Sequence, residues 1–119
     1  MLCIAFVRRL KPGRTYEDFL RAWYPDKGFG LENGEGRVHL AVNRGDPSEV
    51  LTVGFLDAPE SGLDEFLARV SAQEAVRHDR IAEVVEETSL RALYDVVGEF
   101  DFSTDEAVAA GRPAGLDRD

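Results

Sequence analysis

Apolar side chains recur along this chain at two different periods, and the switching between them lays out its elements. Residues 1–10 alternate at period two: Leu2, Ile4 and Phe6 point one way, and Cys3, Ala5 and Val7 the other. Both sides are apolar, which predicts a strand covered on both faces. Lys11-Pro12-Gly13-Arg14 is turn chemistry. Thr15, with Asp18 three residues on, reads as an acidic variant of the capping box at a helix start. Behind it, Tyr16, Phe19, Leu20 and Trp23 recur at i, i+3, i+4 and i+7, opposite Glu17, Asp18 and Arg21. Pro25 stops that helix.

Residues 25–36 make a long glycine-rich loop whose glycines fit neither a dinucleotide fingerprint nor a Walker loop. Its length suits a lid or a binding loop, and equally a plain connection. Strands are predicted over residues 37–44 and 49–57, joined by a hairpin turn through residues 43–48. Ser61 with Asp64 opens a second helix on the stripe Leu63, Phe66, Leu67 and Val70. Ser71 with Glu74 repeats the box, so this region predicts two helices, or one kinked near Ser71, running to about Glu87. Residues 88–99 return to strand, with Leu90, Ala92, Tyr94 and Val96 on one side and Leu93, Asp95 and Val97 on the other. Beyond Phe102 the pattern stops. Residues 103–119 read as an acidic tail with one weak helical turn near residues 104–110. The order β-α-β-β-α-β predicts an α+β domain over residues 1–102: a ferredoxin-like sheet with helices on one face.

Charge is distributed unevenly along the 119 residues. Residues 1–56 hold eight basic and seven acidic side chains; residues 57–119 hold six basic and sixteen acidic. The formal net charge of −9 repels phosphate backbones and argues against nucleic acid as a partner. Arg8, Arg9, Lys11 and Arg14 form the one basic cluster, read as a solvated strand end, with an anion site as the alternative. The single cysteine, Cys3, reads as a small buried hydrophobe. No stretch has the length of a membrane span, and no signal peptide is visible, so the expected location is the cytoplasm.

The strand faces carry the next inference. Leu2, Ile4, Phe6, Val38, Leu40, Val42, Leu51, Val53 and Phe55 are expected on one face, packed under the helices. Cys3, Ala5, Val7, His39, Ala41, Asn43, Thr52 and Gly54 are expected on the other. A free sheet face in water ordinarily carries Lys, Glu and Arg. This one does not, so a second sheet is expected to cover it, most simply that of a second copy of the chain.

Candidate chemistry is sparse. On a helix of about 100° per residue, His78 falls amid Ala75, Ile81, Ala82 and Val85, pointing under the sheet. Glu74, four residues earlier, is its neighbour on the helix. A carboxylate beside an imidazole orients it and favours its charged form, as a general base requires. Against this stands a core histidine satisfied by a carbonyl, with Ser71 and Glu74 occupied as a cap. His39 and Asn43 share the small-residue face and together offer hydrogen bonds to a ligand; a histidine at a dimer seam is the plain alternative. Trp23, Tyr24 and Phe29 are candidate walls for a flat ligand. Tyr94 and Asp95 point to opposite faces, with Arg91 the expected partner of Asp95. Two histidines without ligand spacing and one buried cysteine make no zinc site, and no cofactor is called for.

The element order, the tight second hairpin, and the run Ser71-Ala-Gln-Glu-Ala-Val-Arg-His78 leading into Leu90-Arg-Ala-Leu-Tyr-Asp-Val resemble the dimeric α+β barrel superfamily. The run is similar to the second helix and last strand of antibiotic-biosynthesis-monooxygenase-like domains, over about residues 1–100. The resemblance implies a homodimer of face-to-face sheets that binds a small molecule. It further implies either a cofactor-independent oxygenase or isomerase acting on an aromatic or polyketide-like compound, or a non-catalytic binding or accessory dimer. In the catalytic case His78 is the base, Glu74 its orienter, and His39, Asn43, Trp23, Tyr24, Phe29 and Tyr94 line the substrate site. Haem-degrading relatives are expected to pair their histidine with an asparagine on the first strand and a tryptophan on the second helix, and this chain has neither there.

Overall fold

A computed structural model describes residues 1–25, 36–57 and 61–116. Strand β1 spans Leu2–Leu10, helix α1 Tyr16–Trp23, β2 Gly36–Asn43, β3 Asp46–Leu56, helix α2 Leu63–Ile81, β4 Val85–Asp95 and the short helix α3 Asp105–Ala110. The four strands form one antiparallel sheet in the order β2-β3-β1-β4, the ferredoxin-like arrangement. Among the described residues no helix is long and apolar enough to cross a membrane.

Local chemistry sets α1. The Thr15 hydroxyl accepts from the Asp18 backbone N–H at 3.3 Å, and the Asp18 carboxylate accepts from the Thr15 N–H at 2.9 Å. That closes the capping box and satisfies two donors that a helix start otherwise leaves unpaired. The far end turns out at Tyr24, with φ −61° and ψ 127°. The ring of Pro25 drives the preceding residue into this extended region.

Helix α2 departs from expectation at both ends and in the middle. Its cap position is Gly62, at φ 73°, and no side chain closes it; Ser61 stands one residue too early. Asp64 and Glu65 in the first turn face the positive end of the helix dipole instead. The helix runs through Ser71 as one piece, because nothing there removes a donor or strains the backbone and Glu74 is held elsewhere. It ends at Ile81, not near Glu87. Val84 is drawn into the core, and its carbonyl accepts from the Lys11 N–H at 2.9 Å, tying the turn to the end of β1. Strand β4 therefore starts at Val85, before the expected 88, and β3 starts at Asp46, before the expected 49.

Register decides the faces and corrects one expectation. Cys3, Ala5 and Val7 stand opposite Phe55, Val53 and Leu51, and Ile4 and Phe6 stand opposite Gly54 and Thr52. Directly opposed residues share a face. Leu51, Val53 and Phe55 thus lie on the open side, and Thr52 and Gly54 lie under the helices, the reverse of the assignment made from residue size. Small residues suit the helix side here because Phe6 and Arg8 of β1 fill the space beside them. On β4, Leu90, Ala92 and Tyr94 face the open side and Arg91 and Leu93 the helices. A register shift between Val7 and Arg8 leaves Ser89 without an opposite residue, and its hydroxyl donates to the Val7 carbonyl.

Under the helices the apolar core is split. Leu10, Phe19, Trp23, Val50, Ile81 and Val84 form one cluster; Leu2, Leu56 and Phe66, flanked by Ile4, Leu67 and Val70, form another. The first gathers at the end of β1 and the second at its beginning. Fully burying a side chain such as Phe19 or Ile81 contributes about 2 kcal/mol each. Past β4 the chain leaves the sheet after the Val96 N–H donates to the Met1 carbonyl at 3.0 Å. Thr104 then caps α3, in the stretch where a single helical turn was expected.

Candidate ligand cleft beneath the second helix

The gap between the two clusters holds charge. Arg8 continues the helix-facing series Leu2, Ile4, Phe6 and is only 1% exposed. This overturns its reading as part of a solvated strand end. Its guanidinium carbon lies 4.1 Å from the Phe6 ring centroid and 5.9 Å from that of Phe19, within cation–π reach. Its Nη1 donates to the Thr52 hydroxyl at 3.3 Å, and its Nη2 lies 3.9 Å from Oε1 of Glu74. The other Glu74 oxygen accepts from Arg91 on β4. One carboxylate, 12% exposed, therefore serves two guanidinium groups on neighbouring strands.

The cluster is not fully satisfied. Arg8 Nε and Glu74 Oε1 are buried without a hydrogen-bond partner. Burial pushes the Arg8 pKa down to about 10; Glu74 opposes that shift, and the positive fields of Arg77 and Arg91 add to it. Arg8 remains a cation at neutral pH all the same. Arg77, one turn beyond Gln73 on α2, is also lowered by burial, and its guanidinium carbon lies 5.0 Å from the Trp23 ring centroid.

Two depressions open on this cluster, and Ile4, Phe6, Val70 and Glu74 line both. The larger, about 290 Å³, adds Leu67, Ser71, Arg91, Ala92 and Leu93. The smaller, about 50 Å³, adds Trp23, Thr52, Gln73 and Arg77 among others. The arrangement offers apolar walls, guanidinium donors and one carboxylate oxygen with acceptor capacity to spare. That combination is of the kind that suits a small, mostly apolar molecule with a few polar groups.

The residues singled out from the sequence are dispersed. Glu74 and Trp23 line the cleft, Glu74 with its carboxylate turned to the two arginines and not to His78. His78 is half-buried on α2, its Nδ1 buried without a hydrogen-bond partner, and it lines neither depression. Arg91, the expected partner of Asp95, pairs with Glu74. His39 stands opposite Val53 on the open side of the sheet, where it borders a separate depression of about 480 Å³ with Arg37, Phe55 and Glu99. Asn43 does not join it. A register shift after Val42 turns Asn43 into the hairpin, where its Nδ2 donates to Glu49 at 3.1 Å and its Oδ1 accepts from the Gly45 N–H at 2.8 Å. Tyr24 is exposed at the end of α1, Tyr94 faces the open side opposite Cys3, and Phe29 lies outside the described residues. The residues missed were Arg8, Thr52 and Arg91. A charged side chain in register with Leu2, Ile4, Phe6 and Leu10 was the signal that pointed to Arg8.

The ferredoxin-like α+β fold is shared with a solved structure. A crystal structure from Chloroflexus aurantiacus J-10-fl, provisionally assigned as an antibiotic biosynthesis monooxygenase, superposes with a TM-score of 0.54 at 14% identity, covering 84% of this chain and 96% of that one. No family model and no curated protein matches the sequence.

Proposed function

We propose that this chain is a small-molecule-binding protein that works as a homodimer, with its ligand in the cleft between α2 and the sheet. The observation that carries this reading is the half-satisfied Arg8–Glu74–Arg91 cluster between two separate apolar cores. A purely structural core has little use for it, since a buried ion pair stabilises a fold weakly at best. The dimer reading is supported by the open side of the sheet, where Leu51, Val53, Phe55 and Tyr94 join Cys3, Ala5 and Val7. So continuous an apolar face is the kind that a partner covers.

A catalytic reading has His78 as its candidate base: its buried Nδ1 has no hydrogen-bond partner, and it sits on α2 beside the cleft without lining either depression. In that reading the ligand is an aromatic or polyketide-like substrate, oxygenated or isomerised without a cofactor. Oxygenation by dioxygen would place one oxygen atom on the ring and release the other as water with two hydrogens from the substrate. Glu74 then positions Arg8 and Arg91, not the imidazole.

Native mass spectrometry of the freshly purified chain, followed by denaturation, is the test. The expected result is a dimer that releases a small molecule, lost in Val70→Trp, which fills the larger depression. A clean monomer would remove the dimer reading. A species that stays empty against a panel of aromatic probes would remove the ligand reading. Turnover lost in His78→Ala with affinity kept separates catalyst from binder.

A further inference from the structure

We propose that the cleft selects a small organic acid of one-ring size: an anion on an apolar body that also carries a hydroxyl donor. The proposal rests on the cleft being the ligand site and names what enters it.

Size comes first. At about 290 Å³ the larger depression sits at the lower limit for small-molecule sites, which leaves room for one ring with short substituents. Its walls are Ile4, Phe6, Leu67, Val70 and Leu93, so the body of the ligand is apolar.

Charge comes second. The chain as a whole carries −9, with the excess acid in its second half. Yet at the cleft two guanidinium groups, Arg8 and Arg91, share the single carboxylate of Glu74. Arg77 lines the smaller depression beside them, and its positive field reaches Arg8. The local balance is therefore positive against the sign of the molecule. At physiological salt the distant acidic surface is screened over about 8 Å, so the nearby guanidiniums decide what enters. Arg91 is the group a ligand anion meets first. It lines the larger depression and is half-exposed, while Arg8 lies buried behind Phe6 and Thr52.

The hydroxyl comes third. Glu74 lines both depressions, and its Oε1 is buried with no hydrogen-bond donor, Arg8 Nη2 standing 3.9 Å away. A ligand hydroxyl beside the anion would donate there. A ligand with the negative group alone leaves that oxygen unpaired, which is costly in a buried position.

Titration calorimetry on the full chain with three probes tests the inference: 3-hydroxybenzoate, the neutral 3-hydroxybenzamide, and benzoate. The expected order is 3-hydroxybenzoate tightest, about tenfold over the amide and severalfold over benzoate, the scale of one charge-assisted and one neutral hydrogen bond. Arg91→Gln should bring 3-hydroxybenzoate down to about the level at which the native chain binds the amide. Amide binding equal to acid binding overturns the anion and leaves the cleft reading intact. Equal affinity for benzoate and 3-hydroxybenzoate overturns the hydroxyl. Failure of all three probes to bind, with the fold intact by circular dichroism, takes the cleft reading down as well.

Discussion

The two sides of this sheet are built from the same strands and solve opposite problems. Along β3, Val50 is 0% exposed and Leu51 37%, Thr52 is 4% exposed, and Phe55 at 37% adjoins Leu56 at 6%. On one side the chain covers itself with α1 and α2. On the other, residues just as apolar are left in the open. The covered side buries charge, in Arg8 and Glu74, while the charged residues of the open side, Arg9, Arg37 and Glu49 among them, stand at the ends of its strands around an apolar centre. Amphipathic logic run the usual way would put the arginine outside and Leu51 and Phe55 inside. The inversion is what the proposed function would use: a mostly apolar ligand with polar groups on the helix side, and a second sheet on the open side.

The largest test of that contrast sets Phe19→Ala against Val53→Glu. Phe19 is fully buried, and its truncation should cost about 3–5 kcal/mol in denaturant titrations at every protein concentration. Val53→Glu should leave the stability of the isolated subunit within about 0.5 kcal/mol and weaken association, read by sedimentation over a dilution series. If Val53→Glu instead lowers stability as much as Phe19→Ala at all concentrations, the two sides do not differ in kind. A second test concerns the buried cluster. Glu74→Gln removes the carboxylate that balances Arg8 and should cost about 3 kcal/mol, because a buried cation is left unpaired. Adding Arg8→Met should restore part of the loss; a double variant no better than the single one would mean that Arg8 is not balanced by Glu74.

The smallest effect lies at the hairpin on the rim of the open side. There the Ser48 hydroxyl and Arg9 hold the Asp46 carboxyl below its ordinary value of 3.8. A carboxylate with a depressed folded pKa contributes stability that is present above its unfolded pKa and lost as pH falls through the folded one. The difference in denaturation midpoint between the native chain and Asp46→Asn should therefore be present at pH 7 and shrink toward zero below pH 3.8. A difference that stays constant down to pH 2 would assign the effect to hydrogen-bond geometry and not to charge.

Some of the cleft was legible before any coordinates. The series Leu2, Ile4, Phe6 located the helix-facing side, and the second helix placed Glu74 and His78 beneath it. Arg8 continues that series, yet its charge and its neighbours Arg9, Lys11 and Arg14 suggested solvent. Reading β3 by bulk put Leu51, Val53 and Phe55 inside, because nothing local distinguishes the two faces of a strand when both are apolar. The pairing of Glu74 with His78 followed from helix spacing alone. Spacing counts neighbours on one helix and omits the two strands that pass beneath it, and those bring Arg8 and Arg91.

By itself the sequence determined what short-range chemistry determines. The capping box starts α1, Pro25 turns Tyr24 outward, and the two hydrophobic periods give the order of strands and helices. Each of these depends on residues a few positions apart, whose geometry the backbone already fixes. Only the tertiary structure decided which side of β3 is covered, where α2 ends, which arginine is buried, and what Glu74 holds. Those outcomes depend on strand register and on side chains many residues apart competing for one space, and a bulge or a single shift in register reverses them.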